Sequence, residues 1–183
     1  MEDQFKEFKQ ALSKGERDAI QRWLGIWYDY IRTYQRTGIG DTEVVEAERN
    51  LKSALNKAVV CKKTVYRGLS AGSWRPEEIA YMRNLVEGPN IYELPCHDSA
   101  SVMESIGRAF TYIEPDDEER NMAVLLIAHP KTARYLAPFQ HNAKNEGEVV
   151  LLQGTKFKRV TAVKKPDPKP NLEYWELQVE EIA

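Results

Sequence analysis

The sequence predicts an α+β protein in which N-terminal helices pack on a mixed, mainly antiparallel β-sandwich core. Three observations carry that expectation. Apolar residues recur at three- and four-residue spacing early in the chain, short runs of Val, Leu and Ile replace them after Phe110, and Pro166, Pro168 and Pro170 mark a stiff connection between the last two of those runs.

Taken in order, Ile20, Trp23, Leu24, Trp27, Tyr28, Ile31 and Tyr34 share one helical face until Gly38 and Gly40 break it, and the stripe reads as core. A second helix starts near Asp41, with Val44, Val45, Leu51, Leu55 and Ala58 on its apolar side. Pro76-Glu77-Glu78 opens a third, ending near Gly88, because a helix N-terminus tolerates proline and favours acids. Val102, Met103, Ile106, Ala109 and Phe110 have the spacing of a further amphipathic helix. Buried strands are predicted at Ala123 to Ala128 and Phe157 to Val163, and an alternating terminal strand at Tyr174 to Val179.

Composition fits one domain over 1–183, with a helical part at 1–60 and the core at 61–183: 42% hydrophobic content in 183 residues supports a sizeable core. A net charge of -2 argues against general nucleic-acid affinity, although it leaves a nucleic-acid acceptor open. Two cysteines, Cys61 and Cys96, make no disulfide framework, and their spacing leaves a single bridge open. The start lacks a basic segment followed by an apolar one, and no run of about 18 apolar residues occurs, so the expectation is a soluble, cytoplasmic monomer with no membrane partner. His97, His129 and His141 lack ligand spacing and read as solvated or core residues, so no metal is expected.

Three polar clusters stand out against this frame. Arg67 and Gly68 close the β-prone run Lys63 to Leu69, where a guanidinium among apolar neighbours needs an anion. A pyrophosphate suits its fork, and so does a structural carboxylate at a sheet edge. Gly68 allows a turn or the close approach of a ligand. Ser99-Ala100-Ser101 precedes the short amphipathic helix, so its hydroxyls suit an N-cap, the orientation of a carboxylate, or both. Glu146 and Glu148 lead into the apolar run Val149 to Leu152, which reads as a buried strand. Residues two apart on a strand share a face roughly 6.6 Å apart, which lets two acids flank one reacting centre. Such a pair suits glycosyl-type chemistry, and it also suits two solvated acids at a loop end.

The order of these clusters, Tyr66-Arg67-Gly68, then Ser99-Ala100-Ser101 with Ala109-Phe110 closing the next helix, then Glu146-Gly147-Glu148 before a Val-Leu strand, resembles the arginine-serine-glutamate clade of toxin-type mono-ADP-ribosyltransferases. The following Gln153-Gly154-Thr155 turn and Lys156-Phe157-Lys158 are also similar to that family. Two departures are Ala100, where the family often has threonine, and Cys96-His97-Asp98 ahead of the serines.

The resemblance implies NAD as co-substrate, an arginine of a protein as acceptor, and phage or bacterial effector proteins as the setting. It implies that Arg67 contacts the NAD phosphates and that Gly68 and Ser101 belong to the NAD site. Ser99 would orient Glu148, and Glu148 would stabilise the charge developing on the ribose as nicotinamide leaves. Glu146 would position the acceptor and help deprotonate it. No Rossmann glycine fingerprint is present, and none is expected in this family. In the loop before the acids, the resemblance gives Phe139 and His141 a part in target recognition, while an aromatic in a loop equally serves as a packing anchor. Hydrolysis of NAD by water, or a catalytically silent binding module of the same fold, are the alternatives.

Overall fold

The computed structural model describes residues 2–111, 121–136, 139, 147–166 and 171–182. In chain order the helices are α1 (Glu2–Ala11), α2 (Lys14–Trp23), α3 (Tyr28–Thr37), α4 (Thr42–Lys57), α5 (Pro76–Glu87) and α6 (Glu104–Ala109). The strands are β1 (Val65–Ala71), β2 (Ile91–Glu93), β3 (Asp98–Ser101), β4 (Asn121–His129), β5 (Arg134–Tyr135), β6 (Glu148–Leu151), β7 (Lys156–Lys164) and β8 (Leu172–Glu181). Two compact units interleave along the chain: Met1–Cys61, Leu94–Ser99 and Thr132–Gly154 form one, and Lys62–Glu93, Ala100–Lys131 and Thr155–Ala183 form the other. The fold is α+β with mixed strand pairing, as the sequence predicts.

In the first unit, Phe8, Leu12, Ile20, Trp23, Ile31, Leu51, Leu55, Leu136, Phe139 and Val150 form one buried cluster. The predicted long first helix is instead two, α2 and α3. After Trp23 the chain turns at Leu24–Trp27, where the Trp27 amide donates to the Arg22 carbonyl and the Arg22 guanidinium stacks 4.1 Å from the Trp27 ring. Gly25 sits in that turn, and Ile26 is left 81% exposed. The α4 expectation holds, with Asp41 accepting from the Val44 amide at 2.8 Å, although Val45 is exposed.

Helix α2 begins with a reciprocal cap: the Ser13 hydroxyl accepts from the Glu16 amide, and the Glu16 carboxylate accepts from the Ser13 amide. Glu16 is buried and also takes the Ser53 hydroxyl and the Lys57 ammonium, each at 2.7 Å. Burial alone would raise this carboxyl, but the bonds from Lys57, Ser53 and Ser13 outweigh it and hold it at about 2, against 4.5 when free. A lowered folded-state value contributes stability that is present above pH 4.5 and lost as the pH falls from there toward 2. Glu16→Gln is therefore expected to cost about 3 kcal/mol in chemical denaturation at neutral pH. It should also flatten the acid limb of the stability curve, and an undiminished limb in the variant would assign the acid loss elsewhere.

In the second unit the strand order is β2-β7-β8-β4-β1-β3. Strand β4 lies between β1, paired antiparallel, and β8, paired parallel, and its Met122 to Leu126 are buried throughout, as expected of a central strand. Strand β7 differs from its predicted burial. Phe157 is fully buried, but Val160 and Val163 are nearly half exposed, and the pairing with β8 shifts register between Arg159 and Thr161. Pro168 and Pro170 lie outside the described residues.

Helix α6 is shorter than its stripe suggests, leaving Met103 and Phe110 exposed. It packs by backbone on β1: a Cβ on Gly68 would lie 2.3 Å from the Gly107 carbonyl oxygen, and one on Gly107 2.6 Å from the Tyr66 Cβ.

Candidate active site

Within the first unit, Ser99 ends the half of β3 that belongs there, and Glu148 opens β6, the neighbouring strand. Both side chains are half-buried. Gly147 has φ 60°, a left-handed backbone that disfavours any side chain, so the glycine inside Glu146-Gly147-Glu148 sets how the strand is entered. The Glu148 carbonyl then accepts from the Leu136 amide at 3.0 Å, β5 pairs with β6 through Tyr135↔Val149 and Arg134↔Val150, and Val149, Val150 and Leu151 are buried. Glu148 thus leads a strand anchored by its own apolar run. Glu146 and His141 lie outside the described residues.

The approach to Ser99 is tightly bonded. Asp98 is buried and meets the Arg32 guanidinium at 2.8 Å, a pair whose guanidinium stays charged at every accessible pH because the carboxylate outweighs its burial. His97 is buried too, with Nδ1 accepting from the Gln153 amide at 2.8 Å and its own amide donating to Gln35 Oε1 at 2.8 Å. Burial, helped by the Lys52 charge, pushes the imidazole down to about 4, so it is neutral at neutral pH.

Within the second unit, Arg67 and Gly68 lie on β1 and Ser101 on the paired strand β3, with Tyr66 opposite Ser101. Arg67 is half-buried and its Nε is buried. The Ser101 hydroxyl accepts from the Met103 amide at 2.9 Å, closing the turn ahead of α6, but the N-cap position is Met103 and no side chain caps the helix, so the N-cap role expected of the serines is not what Ser101 does. Gly68 has a packing reason to lack a side chain, since Gly107 and Phe110 occupy the space above it.

Phe139 is a packing anchor: it is 8% exposed, sits edge-on to Phe8 at 5.4 Å, and its carbonyl accepts from Gln21 Nε2. Cys61 and Cys96 are both buried free thiols. Among the described residues, no group of His, Cys, Asp or Glu has the arrangement of a metal site, and no helix is long and apolar enough to cross a membrane. The left-handed backbone of Gly147, the close approach at Gly107 and the His97-Gln153 bond are not legible in the sequence, because none follows from local spacing.

Helices followed by a mixed sheet, with Arg67 on β1, Ser99 and Ser101 on β3 and Glu148 on β6, define an ADP-ribosyltransferase fold. Two proteins of that fold are similar to this chain. The candidate NAD(+)-arginine ADP-ribosyltransferase Vis of Vibrio splendidus (strain 12B01) is 24% identical over 160 residues, 84% of this chain and 61% of Vis. This chain therefore spans about three fifths of the length of that relative. A crystal structure of Vis with agmatine superposes with a TM-score of 0.70 at 20% identity, covering 97% of this chain and 82% of that one. Plx2a, an ADP-ribosyltransferase toxin from Paenibacillus larvae, does so with a TM-score of 0.69 at 18% identity, covering all of this chain and 92% of Plx2a. No family model matches the chain. The resemblance to toxin-type mono-ADP-ribosyltransferases thus holds in sequence and in fold.

Proposed function

We propose that this protein transfers ADP-ribose from NAD to an arginine side chain of an acceptor protein and releases nicotinamide. What supports the reading is that Arg67, Ser99 and Glu148 each lie on a strand, in a chain 24% identical to Vis over 84% of its length. The bond between the ribose C1′ and the nicotinamide nitrogen breaks, its electron pair leaving with nicotinamide, and a guanidinium nitrogen of the acceptor forms the new bond to C1′ and gives up a proton. Glu148 stabilises the positive charge that develops on the ribose, an interaction that is strongest when preorganised. Ser99 orients that carboxylate. Arg67 holds the phosphates as a fixed fork, with Gly68 and Ser101 completing the NAD-binding strands. Glu146 binds the acceptor and takes its proton, which an arginine requires because its pKa above about 12 leaves it a poor nucleophile.

The agmatine in a Vis structure, itself a guanidine, supports an arginine acceptor, and toxin and type III effector neighbours support action on the machinery of another cell after effector delivery, with phage expression as the other setting. The protein acts as a monomer in the cytoplasm of that cell.

Glu146→Gln separates the two halves of the reaction. It should lower transfer to agmatine at least about 10-fold while leaving measurable NAD cleavage, since only the acceptor's proton acceptor is lost. Steady-state rates of nicotinamide release and ADP-ribosyl-agmatine formation, read side by side, decide it. Parallel loss of both rates would strip Glu146 of its acceptor role.

A further inference from the structure

We propose that His97 is a positioning residue for the reaction: by locking β3 in register on β6, it sets the level of Ser99 against Glu148. The inference rests on the catalytic reading above. Strand β3 is short, its Asp-Ser-Ala-Ser sequence offers no apolar alternation to select a register, and its buried Asp98 is tied to Arg32 on α3, so its own side chains specify the pairing with β6 weakly. A slip of one residue would move Ser99 to the other face of the strand.

What specifies the register lies at the far end of β6. Immediately before β3, His97 Nδ1 accepts from the Gln153 amide, Gln153 Nε2 donates to the carbonyls of Pro95 at 3.0 Å and Gln35 at 3.1 Å, and the Gly154 amide donates to the Leu94 carbonyl at 2.9 Å. The His97 amide in turn donates to Gln35 on α3. These bonds tie the segment entering β3 to the turn leaving β6, with Gly154 in a left-handed conformation at φ 81°. Of these bonds only the one to Nδ1 depends on the chemistry of an ionisable side chain. Because Nδ1 accepts, the ring proton sits on Nε2, which is buried with no hydrogen-bond partner among the described residues, and the His97 ring lies edge-on to Trp23 with centroids 6.2 Å apart. A buried Nε2 proton without an acceptor is a cost that the Nδ1 bond offsets. An asparagine can supply an acceptor oxygen near the Nδ1 position, whereas a leucine fills the space and supplies none.

The test compares wild type, His97→Asn and His97→Leu by steady-state NAD cleavage, each normalised to folded protein, with amide exchange read at Gln153. His97→Leu is expected to lose about 10- to 100-fold in kcat, the scale of a misplaced catalytic group, with KM for NAD changed less than about threefold. Its Gln153 amide should exchange at least about 10-fold faster, and His97→Asn should recover most of both. Equal kcat per folded molecule in wild type and His97→Leu overturns the proposal, as does equal loss in both variants. The wild type alone gives a second reading: ring nitrogen NMR should show the Nε2-protonated tautomer, and an Nδ1 proton would overturn the lock even if neither variant folds. Wild type that cleaves no NAD would instead fail the catalytic reading, while ring tautomer and amide exchange still report on the lock.

Discussion

Glu148→Gln is expected to lower NAD cleavage and arginine transfer together by at least about 100-fold, the scale on which removing one preorganised electrostatic contact acts. The substitution keeps size and hydrogen-bonding capacity and deletes only the charge. It should leave the fold intact, since the anchoring of this position comes from the backbone bond to Leu136 and from buried Val149, Val150 and Leu151. Unfolding and rate measurements on the same preparation separate a chemical effect from a structural one. Near wild-type rates would remove Glu148 from the mechanism.

Gly68→Ala should have the largest effect on the second unit. The added methyl would fall 2.3 Å from the Gly107 carbonyl oxygen and 2.6 Å from the Phe110 backbone and Cβ, so it meets the backbone of α6 and its C-terminal end. Neither partner is the tip of a flexible side chain. Helix α6 must therefore move off β1, at a cost of about 3 kcal/mol, near the upper end of overpacking penalties. The displacement begins beside Arg67 and reaches the Ser101-Met103 turn, so activity should fall with stability. Urea denaturation of wild type and variant measures the loss; a difference below about 0.5 kcal/mol would mean that α6 does not rest on β1 as described.

Which features were legible in the sequence follows from what generates them. Strands β4 and β8 and helices α4 and α5 were readable because period, capping residues and proline placement are local. The break between α2 and α3 was hidden, because apolar residues keep helical spacing across Leu24–Trp27 while the turn itself is made by backbone bonds to Arg22 and by its stacking on Trp27. Burial of Phe157 but not of Val160 and Val163 depends on which strands flank β7, a non-local matter. At the candidate site, Arg67, Ser99, Ser101 and Glu148 could be picked out by residue type and order, and the structure puts each on a strand. Gly107 and His97 could not be ranked that way. Gly107 matters through what lies across from it, and His97 through an acceptor nitrogen facing an amide 56 positions away.

The central claim is transfer to arginine, and its most direct measurement is incubation of the purified protein with labelled NAD, agmatine and cell lysate, beside the Glu148→Gln variant, with mass spectrometry of every labelled product. ADP-ribose is expected on agmatine or on arginines of discrete proteins, accompanied by nicotinamide and absent with the variant. Release of nicotinamide with free ADP-ribose and no modified guanidine would contradict transfer to arginine and make the protein an NAD glycohydrolase.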